Sequence, residues 1–133
     1  IDDVWFNLDT NQIVVADYKA QSTKINPEKN YYLNGTYHQS YKMQMDIYVY
    51  ILRRMGFDVA DTSYFMVCNG EKTGDRFDAT MNFSITLIDY DTDTSWISEK
   101  ITKMKSVLDS NLLPDRNPNC ENCAYLEQGA KLI

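Results

Sequence analysis

The segment IVVADYKAQ, residues 13–21, constrains the fold more than any other part of this sequence. Residues 13–16 are all apolar and predict a strand that lies in a hydrophobic core. The strand then reaches Asp17 and Lys19, which are two residues apart and therefore point to the same face of a sheet. A core strand that ends on a carboxylate and an ammonium predicts either a solvated ion pair or a functional site.

The first half of the chain predicts two strands, a loop and a helix. The turn-prone segment LDTNQ separates two strand-like stretches, so we expect a hairpin formed by residues 1–8 and 12–19. Residues 20–35 are rich in polar residues and contain proline and glycine, which predicts a loop. Apolar positions then recur at helical spacing over residues 36–55, and Gly56 is placed to end that helix.

The second half predicts two more strands and a second helix. Residues 61–69 form an apolar strand, and after the turn GEKTGD apolar and polar residues alternate over residues 79–90. A second helix is predicted after YDTDTS by four apolar residues at helical spacing, Ile97, Ile101, Met104 and Leu108. A polar tail, residues 111–133, follows. This order predicts an α/β (α+β) fold with a mixed central sheet flanked by helices.

Size and composition predict one globular domain, residues 1–133. A content of 44% hydrophobic and 24% charged residues is typical of globular proteins. No apolar run approaches the roughly 20 residues that span a bilayer, so we expect no membrane contact. Three cysteines do not fit a secreted disulfide framework, which favours the cytoplasm. The chain starts without a methionine, so we expect it to be part of a longer protein with further domains.

The net charge of −6 does not decide between a nucleic-acid-binding domain and a domain built around clustered carboxylates. Most nucleic-acid-binding domains have a basic footprint, and this chain is acidic. An acidic balance is also expected of a domain built around clustered carboxylates. The charge therefore leaves both functions open.

A cation site is the functional alternative at the end of the strand. A hairpin would bring Asp2 or Asp3 beside Asp17, and alternation along the first strand leaves the choice between the two open. Two neighbouring carboxylates repel each other and lose hydration, a cost that a bound cation would offset. Oxygen ligands in a half-open site suit Mg²⁺ or Mn²⁺. Lys19 could then orient a water molecule or stabilise charge on a phosphate.

The predicted long helix adds polar groups on one of its faces. Gln44 and Tyr48 are four residues apart and lie one above the other, and Tyr41 precedes them on the same stripe. Above a cation site, such groups could hold a phosphate or a water molecule. The alternative is a core helix whose tyrosine hydroxyls reach solvent or a hydrogen-bond partner.

Together these residues resemble the PD-(D/E)XK nuclease superfamily, in particular its RecB-like branch, which includes the CRISPR-associated exonucleases. The first-strand motif of that branch matches IDD, which favours Asp2 over Asp3. Its D-x-K motif matches the DYK segment that starts at Asp17, and its Q-x-x-x-Y motif matches QMDIY, residues 44–48. The resemblance implies a restriction-endonuclease-like core and spans most of the chain.

The resemblance implies a metal-dependent deoxyribonuclease that hydrolyses DNA with a metal-activated water and leaves a 5′-phosphate. Asp2 and Asp17 would hold Mg²⁺ or Mn²⁺ together with the carbonyl oxygen of Tyr18, and Lys19 would activate the water. The helix residues Gln44, Tyr48 and Tyr41 would contact the substrate or brace the site. His38 has no role in this scheme, and we expect it at the surface.

Two features depart from the branch. Its members usually have an N-terminal helix that completes the metal shell, and we expect residues 1–133 to lack this helix, because the first-strand motif begins at Ile1. Its iron–sulfur members use four cysteines, whereas the tail here has only Cys120 and Cys123, so we expect no iron–sulfur cluster or zinc within this chain. The alternative function is a catalytically degenerate domain that binds nucleic acid or a partner, which the acidic net charge supports, and a second alternative is a structural or interaction module whose motif matches are accidental.

Overall fold

In the computed structural model the described residues are 1–72, 79–112 and 114–131. The chain divides into two compact units, residues 1–97 and 98–133. The first unit contains strands β1 (Asp3–Asn7), β2 (Gln12–Gln21), β3 (Thr62–Gly70) and β4 (Phe83–Asp91), and helices α1 (Lys29–Asn34) and α2 (Gln39–Arg54). Helix α3 (Ile97–Asp109) begins at the end of this unit, and α4 (Glu121–Ala130) lies in the second.

The four strands form one mixed sheet in the order β1-β2-β3-β4. β1 and β2 are antiparallel, β2 and β3 are parallel, and β3 and β4 are antiparallel. Because a parallel pair needs a long crossover, α1, a 3₁₀ turn at Thr36–His38 and α2 lie between β2 and β3. The predicted α/β fold with a mixed sheet and flanking helices is confirmed.

Local chemistry explains where the first elements turn. Asn11 closes the β1–β2 turn with a φ of 57°, a left-handed conformation that asparagine tolerates better than most residues. The Asn7 side chain accepts a hydrogen bond from the backbone N–H of Asp9 at 2.9 Å, which fixes the start of the same turn. Gly56 follows α2 with a φ of 93°, as expected of a glycine that ends a helix.

The core lies between one face of the sheet and α2. Val15, Phe65 and Ile88 from three neighbouring strands pack with Met45 and Val49 of the helix. Each such side chain contributes about 1.5–3 kcal/mol when it leaves water. Ile47 and Ile51 of α2 remain exposed, so only one face of the helix is buried. This packing brings the first half of α2 beside the end of β2.

Some element predictions were incomplete. The predicted loop over residues 20–35 contains α1, and the predicted tail contains α4. β4 begins at Phe83, so residues 79–82 are not in the strand. Residues 73–75 of the predicted turn GEKTGD lie outside the described part of the chain.

Candidate functional site

Asp17 and Lys19 lie on the face of β2 that packs against α2. Asp17 is 2% exposed and the Lys19 side chain is 16% exposed, and the two form an ion pair through Asp17 Oδ2. This buried oxygen accepts no hydrogen bond from any described residue. A buried carboxylate normally has several hydrogen-bond donors. Asp17 Oδ2 therefore has Lys19 as its strong electrostatic partner, and a cation that binds there would take the place of the ammonium.

Helix α2 supplies the other groups around Lys19. The Lys19 ammonium donates a hydrogen bond to Gln44 Oε1 at 3.1 Å, and it lies 4.6 Å from the ring centroid of Tyr41. The Gln44 amide nitrogen in turn donates to the Tyr48 hydroxyl at 2.5 Å. The candidate residues from the strand and from the helix are thus connected in one chain of contacts from Asp17 to Tyr48.

Asp2 and Asp3 lie on opposite faces of the sheet. Asp3 pairs with Ala16, so the same register continued by one residue sets Asp2 beside Asp17. Asp2 Oδ2 accepts a hydrogen bond from the backbone N–H of Tyr18 at 2.7 Å. Asp3 instead accepts from the Tyr18 hydroxyl at 2.7 Å, on the face away from Asp17.

The contacts of Asp3 occupy its carboxylate. The Trp5 indole N–H donates to it at 3.0 Å, in addition to the Tyr18 hydroxyl. The hydrogen bond from Tyr18 lowers the pKa of Asp3 most, and the bond from Trp5 lowers it further. The same bond to Asp3 raises the pKa of Tyr18. Asp3 therefore braces the outer face of the β1–β2 pair.

The residues at this strand end fit a partly hydrated divalent cation. Within the described ranges, no three histidine, cysteine or acidic side chains form a complete ligand set. Mg²⁺ commonly keeps several waters and uses only one or two protein carboxylates. Asp17 and Asp2, which the register of β1 and β2 places opposite each other, would supply these two carboxylates. The role of the Tyr18 carbonyl oxygen as a third ligand remains a prediction.

Two aromatic residues beside the site were not predicted as part of it. Tyr32 of α1 is buried, and burial raises its pKa to about 12, with a smaller contribution from the negative charge of Asp17. The His38 ring stacks between Tyr32 and Tyr41, with centroid distances of 4.0 and 5.5 Å. The expectation that His38 is a surface residue is therefore wrong, because its ring is half-buried between two tyrosines.

The sequence motif QMDIY contains a buried carboxylate with a separate role. Asp46 accepts hydrogen bonds from the Tyr90 hydroxyl, the backbone N–H of Asp93 and the Trp96 indole, each at 3.0 Å. Burial, together with the bond to Asp46, raises the pKa of Tyr90 above its ordinary value. Asp46 thus ties α2 to the segment that follows β4.

The cysteines form no disulfide among the described residues. Cys120 caps the N-terminus of α4, where its Sγ accepts from the backbone N–H of Cys123 at 3.4 Å. This backbone hydrogen bond lowers the pKa of Cys120, and the side-chain bond from Cys120 raises the pKa of Cys123. Cys68 lies in β3 and is half-buried.

One of three comparisons with known proteins identifies a family for this chain. The family model that describes the PD-(D/E)XK nuclease superfamily matches residues 1–128. No curated protein and no solved structure matches the chain. None of the helices in the described ranges is long and apolar enough to cross a membrane. The family match includes every residue of the candidate site.

Proposed function

Because the chain belongs to the PD-(D/E)XK nuclease superfamily, we propose that it is a metal-dependent deoxyribonuclease of the RecB-like branch. Superfamily membership points to phosphodiester hydrolysis and to a nucleic-acid substrate. The finer assignment to DNA and to this branch is supported by the Q-x-x-x-Y spacing of Gln44 and Tyr48 beside the D-x-K segment.

The observation that carries the proposal is the buried Asp17 carboxylate with Lys19 beside it. Asp17 and Asp2 would hold Mg²⁺ or Mn²⁺, with the Tyr18 carbonyl as a further ligand. When bound, the cation would withdraw charge from a phosphate oxygen and lower the pKa of a water molecule. Asp17 is suited to this role because its carboxylate is buried and its Oδ2 is paired with the Lys19 ammonium, which a cation would replace.

Lys19 is the residue that would act on the substrate directly. Its ammonium can donate to a phosphate oxygen or to the attacking water, and it neutralises negative charge that grows during attack. Its low exposure strengthens this effect, because a buried charge is poorly screened by solvent. In-line attack by the water would leave a 5′-phosphate on one product and a 3′-hydroxyl on the other.

Gln44 and Tyr48 are positioning residues in this scheme. The Gln44 carbonyl oxygen accepts from Lys19, so it holds the ammonium while the lysine exchanges between Asp17 and the substrate. The Tyr48 hydroxyl accepts from the Gln44 amide nitrogen and thereby keeps the carbonyl oxygen turned to Lys19. Tyr41 places its ring against the same ammonium, which adds a cation–π attraction.

Hydrolysis of linear DNA in Mg²⁺ or Mn²⁺ tests the proposal. We expect cleavage by the wild type, and a loss of about 10²-fold or more in Asp17→Asn and in Lys19→Ala. Asp3→Asn is the matched control, because Asp3 has the same chemistry as Asp2 but lies on the opposite face. It should keep its activity.

The results separate three functions. Equal cleavage by the wild type and Asp17→Asn would contradict the proposed site. DNA binding by the wild type without cleavage would identify the degenerate, nucleic-acid-binding alternative. If the wild type neither binds nor cleaves DNA, the partner-binding alternative is the function that fits.

A further inference from the structure

The His38 ring lies in a column of aromatic side chains that ends at Lys19. Tyr32 contacts Phe65 of β3 at a centroid distance of 6.1 Å, and His38 stacks on Tyr32 at 4.0 Å. His38 also stacks on Tyr41 at 5.5 Å, and the Lys19 ammonium lies 4.6 Å from the centre of the Tyr41 ring. No step of the proposed hydrolysis uses His38, so its place in this column needs an explanation of its own.

A hydrogen bond fixes the orientation of the His38 ring. Its Nδ1 lies 2.6 Å from the carbonyl oxygen of Tyr32. Because a carbonyl oxygen only accepts hydrogen bonds, Nδ1 carries the proton, and Nε2 is the unprotonated nitrogen of the neutral ring. The neutral ring therefore has a defined position and a defined tautomer.

Gly35 leaves the space that this ring occupies. A Cβ at position 35 would lie 2.8 Å from His38 Nδ1, which is closer than real Cβ contacts in proteins. The φ of Gly35 is −61°, a value that every residue adopts, so the backbone itself does not require glycine here. The glycine is therefore explained by the His38 ring and not by the shape of the backbone.

Tyr41 connects the placement of His38 to Lys19. The Tyr41 ring packs against the core and contacts both the His38 ring and the Lys19 ammonium. A cation–π attraction requires the cation to lie over the face of the ring, so a tilt of the Tyr41 ring weakens it. The attraction involves the whole face, so the ammonium keeps its N–H groups for oxygen acceptors. Because the Lys19 side chain is 16% exposed, solvent does little to screen this contact.

We propose that His38 is a positioning residue, which acts through Tyr41 to hold the Lys19 ammonium in place at the end of β2. The inference rests on the proposed nuclease function and adds a residue to its site. Without the His38 ring, the Tyr41 ring would be free to tilt, and Lys19 would spend less time where it can donate to a phosphate oxygen. The chemical step should then slow, whereas substrate binding should change little, because His38 acts on Lys19 and not on the substrate.

Steady-state cleavage of linear DNA in Mg²⁺ tests this role. We expect His38→Leu to lower kcat about tenfold and to change KM by less than about twofold. His38→Phe keeps an aromatic ring and should retain most of the wild-type kcat. Gly35→Ala keeps the histidine but displaces its ring, so kcat should fall in this variant too, which provides a second test if His38→Leu does not fold.

Tyr64→Leu is the matched control. It also removes one ring from an aromatic contact, in this case with Trp5 at a centroid distance of 5.8 Å. Tyr64 is opposite Ala16 in the register of β2 and β3, so it lies on the face of the sheet away from Asp17. This variant should keep the kcat of the wild type.

A double-mutant cycle separates positioning from a general structural effect. If His38 acts through Tyr41, removal of the Tyr41 ring already cancels its contribution. His38→Leu should then cause no further loss of kcat in a Tyr41→Leu background. Additive losses of kcat would show that His38 acts independently of Tyr41, which would overturn the inference.

Nuclear magnetic resonance measures the geometry of the ring independently of activity. The chain contains one histidine, so isotope-labelled histidine in the untagged protein reports on His38 alone. We expect the Nδ1–H tautomer at a pH where the ring is neutral. An Nε2–H tautomer would contradict the hydrogen bond to Tyr32 and overturn the inference.

The outcomes distinguish this inference from the function on which it rests. Normal cleavage by the wild type, together with an unchanged kcat in His38→Leu, overturns the role of His38 alone. A wild type that cleaves no DNA under these conditions overturns the proposed function and the role of His38 together.

Discussion

The Lys19 ammonium donates a hydrogen bond to the carbonyl oxygen of Gln44 across 3.1 Å, although the two residues are 25 positions apart. This contact joins β2 to α2 directly beside the buried Asp17. It gives Lys19 two oxygen partners, one charged and one neutral. The lysine can therefore leave Asp17 without leaving the site.

Removal of Gln44 should slow the proposed hydrolysis more than it weakens substrate binding. Gln44→Ala takes away the neutral partner of Lys19, and a misplaced ammonium lowers kcat by about 10- to 100-fold. Steady-state cleavage kinetics measures kcat and KM separately. Met43→Ala, at the exposed neighbouring position of α2, is the control and should match the wild type. An unchanged kcat in Gln44→Ala would show that Lys19 does not need this contact.

Removal of Lys19 should strengthen cation binding while it abolishes cleavage. Lys19 occupies Asp17 Oδ2, so a cation must displace the ammonium before it binds there. Lys19→Ala removes the ammonium from the buried Asp17 Oδ2, and we expect the Mn²⁺ affinity of the variant to rise about tenfold. Calorimetry measures that affinity independently of activity. Weaker Mn²⁺ binding in Lys19→Ala would mean that the lysine supports the cation instead of competing with it.

Asp46 should make a large contribution to stability. Asp46→Ala leaves the Tyr90 hydroxyl and the Trp96 indole N–H without their acceptor in a partly buried setting. We expect the free energy of unfolding to fall by about 3 kcal/mol, because these donors would stay partly buried without a hydrogen-bond acceptor. Urea denaturation measures this loss. Asp58→Ala, at an exposed position, should cost less than about 1 kcal/mol, and equal losses in the two variants would contradict the assigned role.

Stability should fall at alkaline pH because of Tyr32. Burial raises its pKa to about 12, whereas an unfolded tyrosine titrates near 10. Between these values the folded state keeps a proton that the unfolded state releases, so the free energy of unfolding decreases as pH rises through that window.

Tyr32→Phe measures this contribution. Between pH 9 and pH 11, the free energy of unfolding should fall by about 1–2 kcal/mol less in the variant than in the wild type. Urea denaturation at each pH measures this difference. Tyr37→Phe is the control, because Tyr37 is 90% exposed. A pH profile of Tyr32→Phe identical to that of the wild type would show that this hydroxyl does not titrate as described.

Strand periodicity was sufficient to predict the relative placement of Asp17 and Lys19. Two residues on one strand share a face whatever the tertiary fold, and the observed ion pair agrees with that rule. The register of the hairpin places Asp2, and not Asp3, beside Asp17. Alternation along the first strand alone did not decide between these two aspartates. Helical spacing placed Gln44 above Tyr48, because residues four apart are neighbours on any α-helix.

Features that depend on distant contacts could not be predicted in this way. The three donors of Asp46 lie 44 to 50 residues away, so no local pattern reveals them. Helix α1 has six residues, too few for a measurable period. The β4 alternation does not say which face meets α2, and it is Ile88 that packs there while Ile85 is exposed.

The most direct test of the proposed site is calorimetric titration of Mn²⁺ into the wild type, Asp17→Asn and Asp3→Asn. The two substitutions are the same chemically, but Asp17 lies buried beside Lys19 and Asp3 lies on the opposite face of the sheet. We predict binding by the wild type and Asp3→Asn, and none by Asp17→Asn. Binding that persists in Asp17→Asn, or that is absent from the wild type, would contradict a catalytic cation at the end of β2.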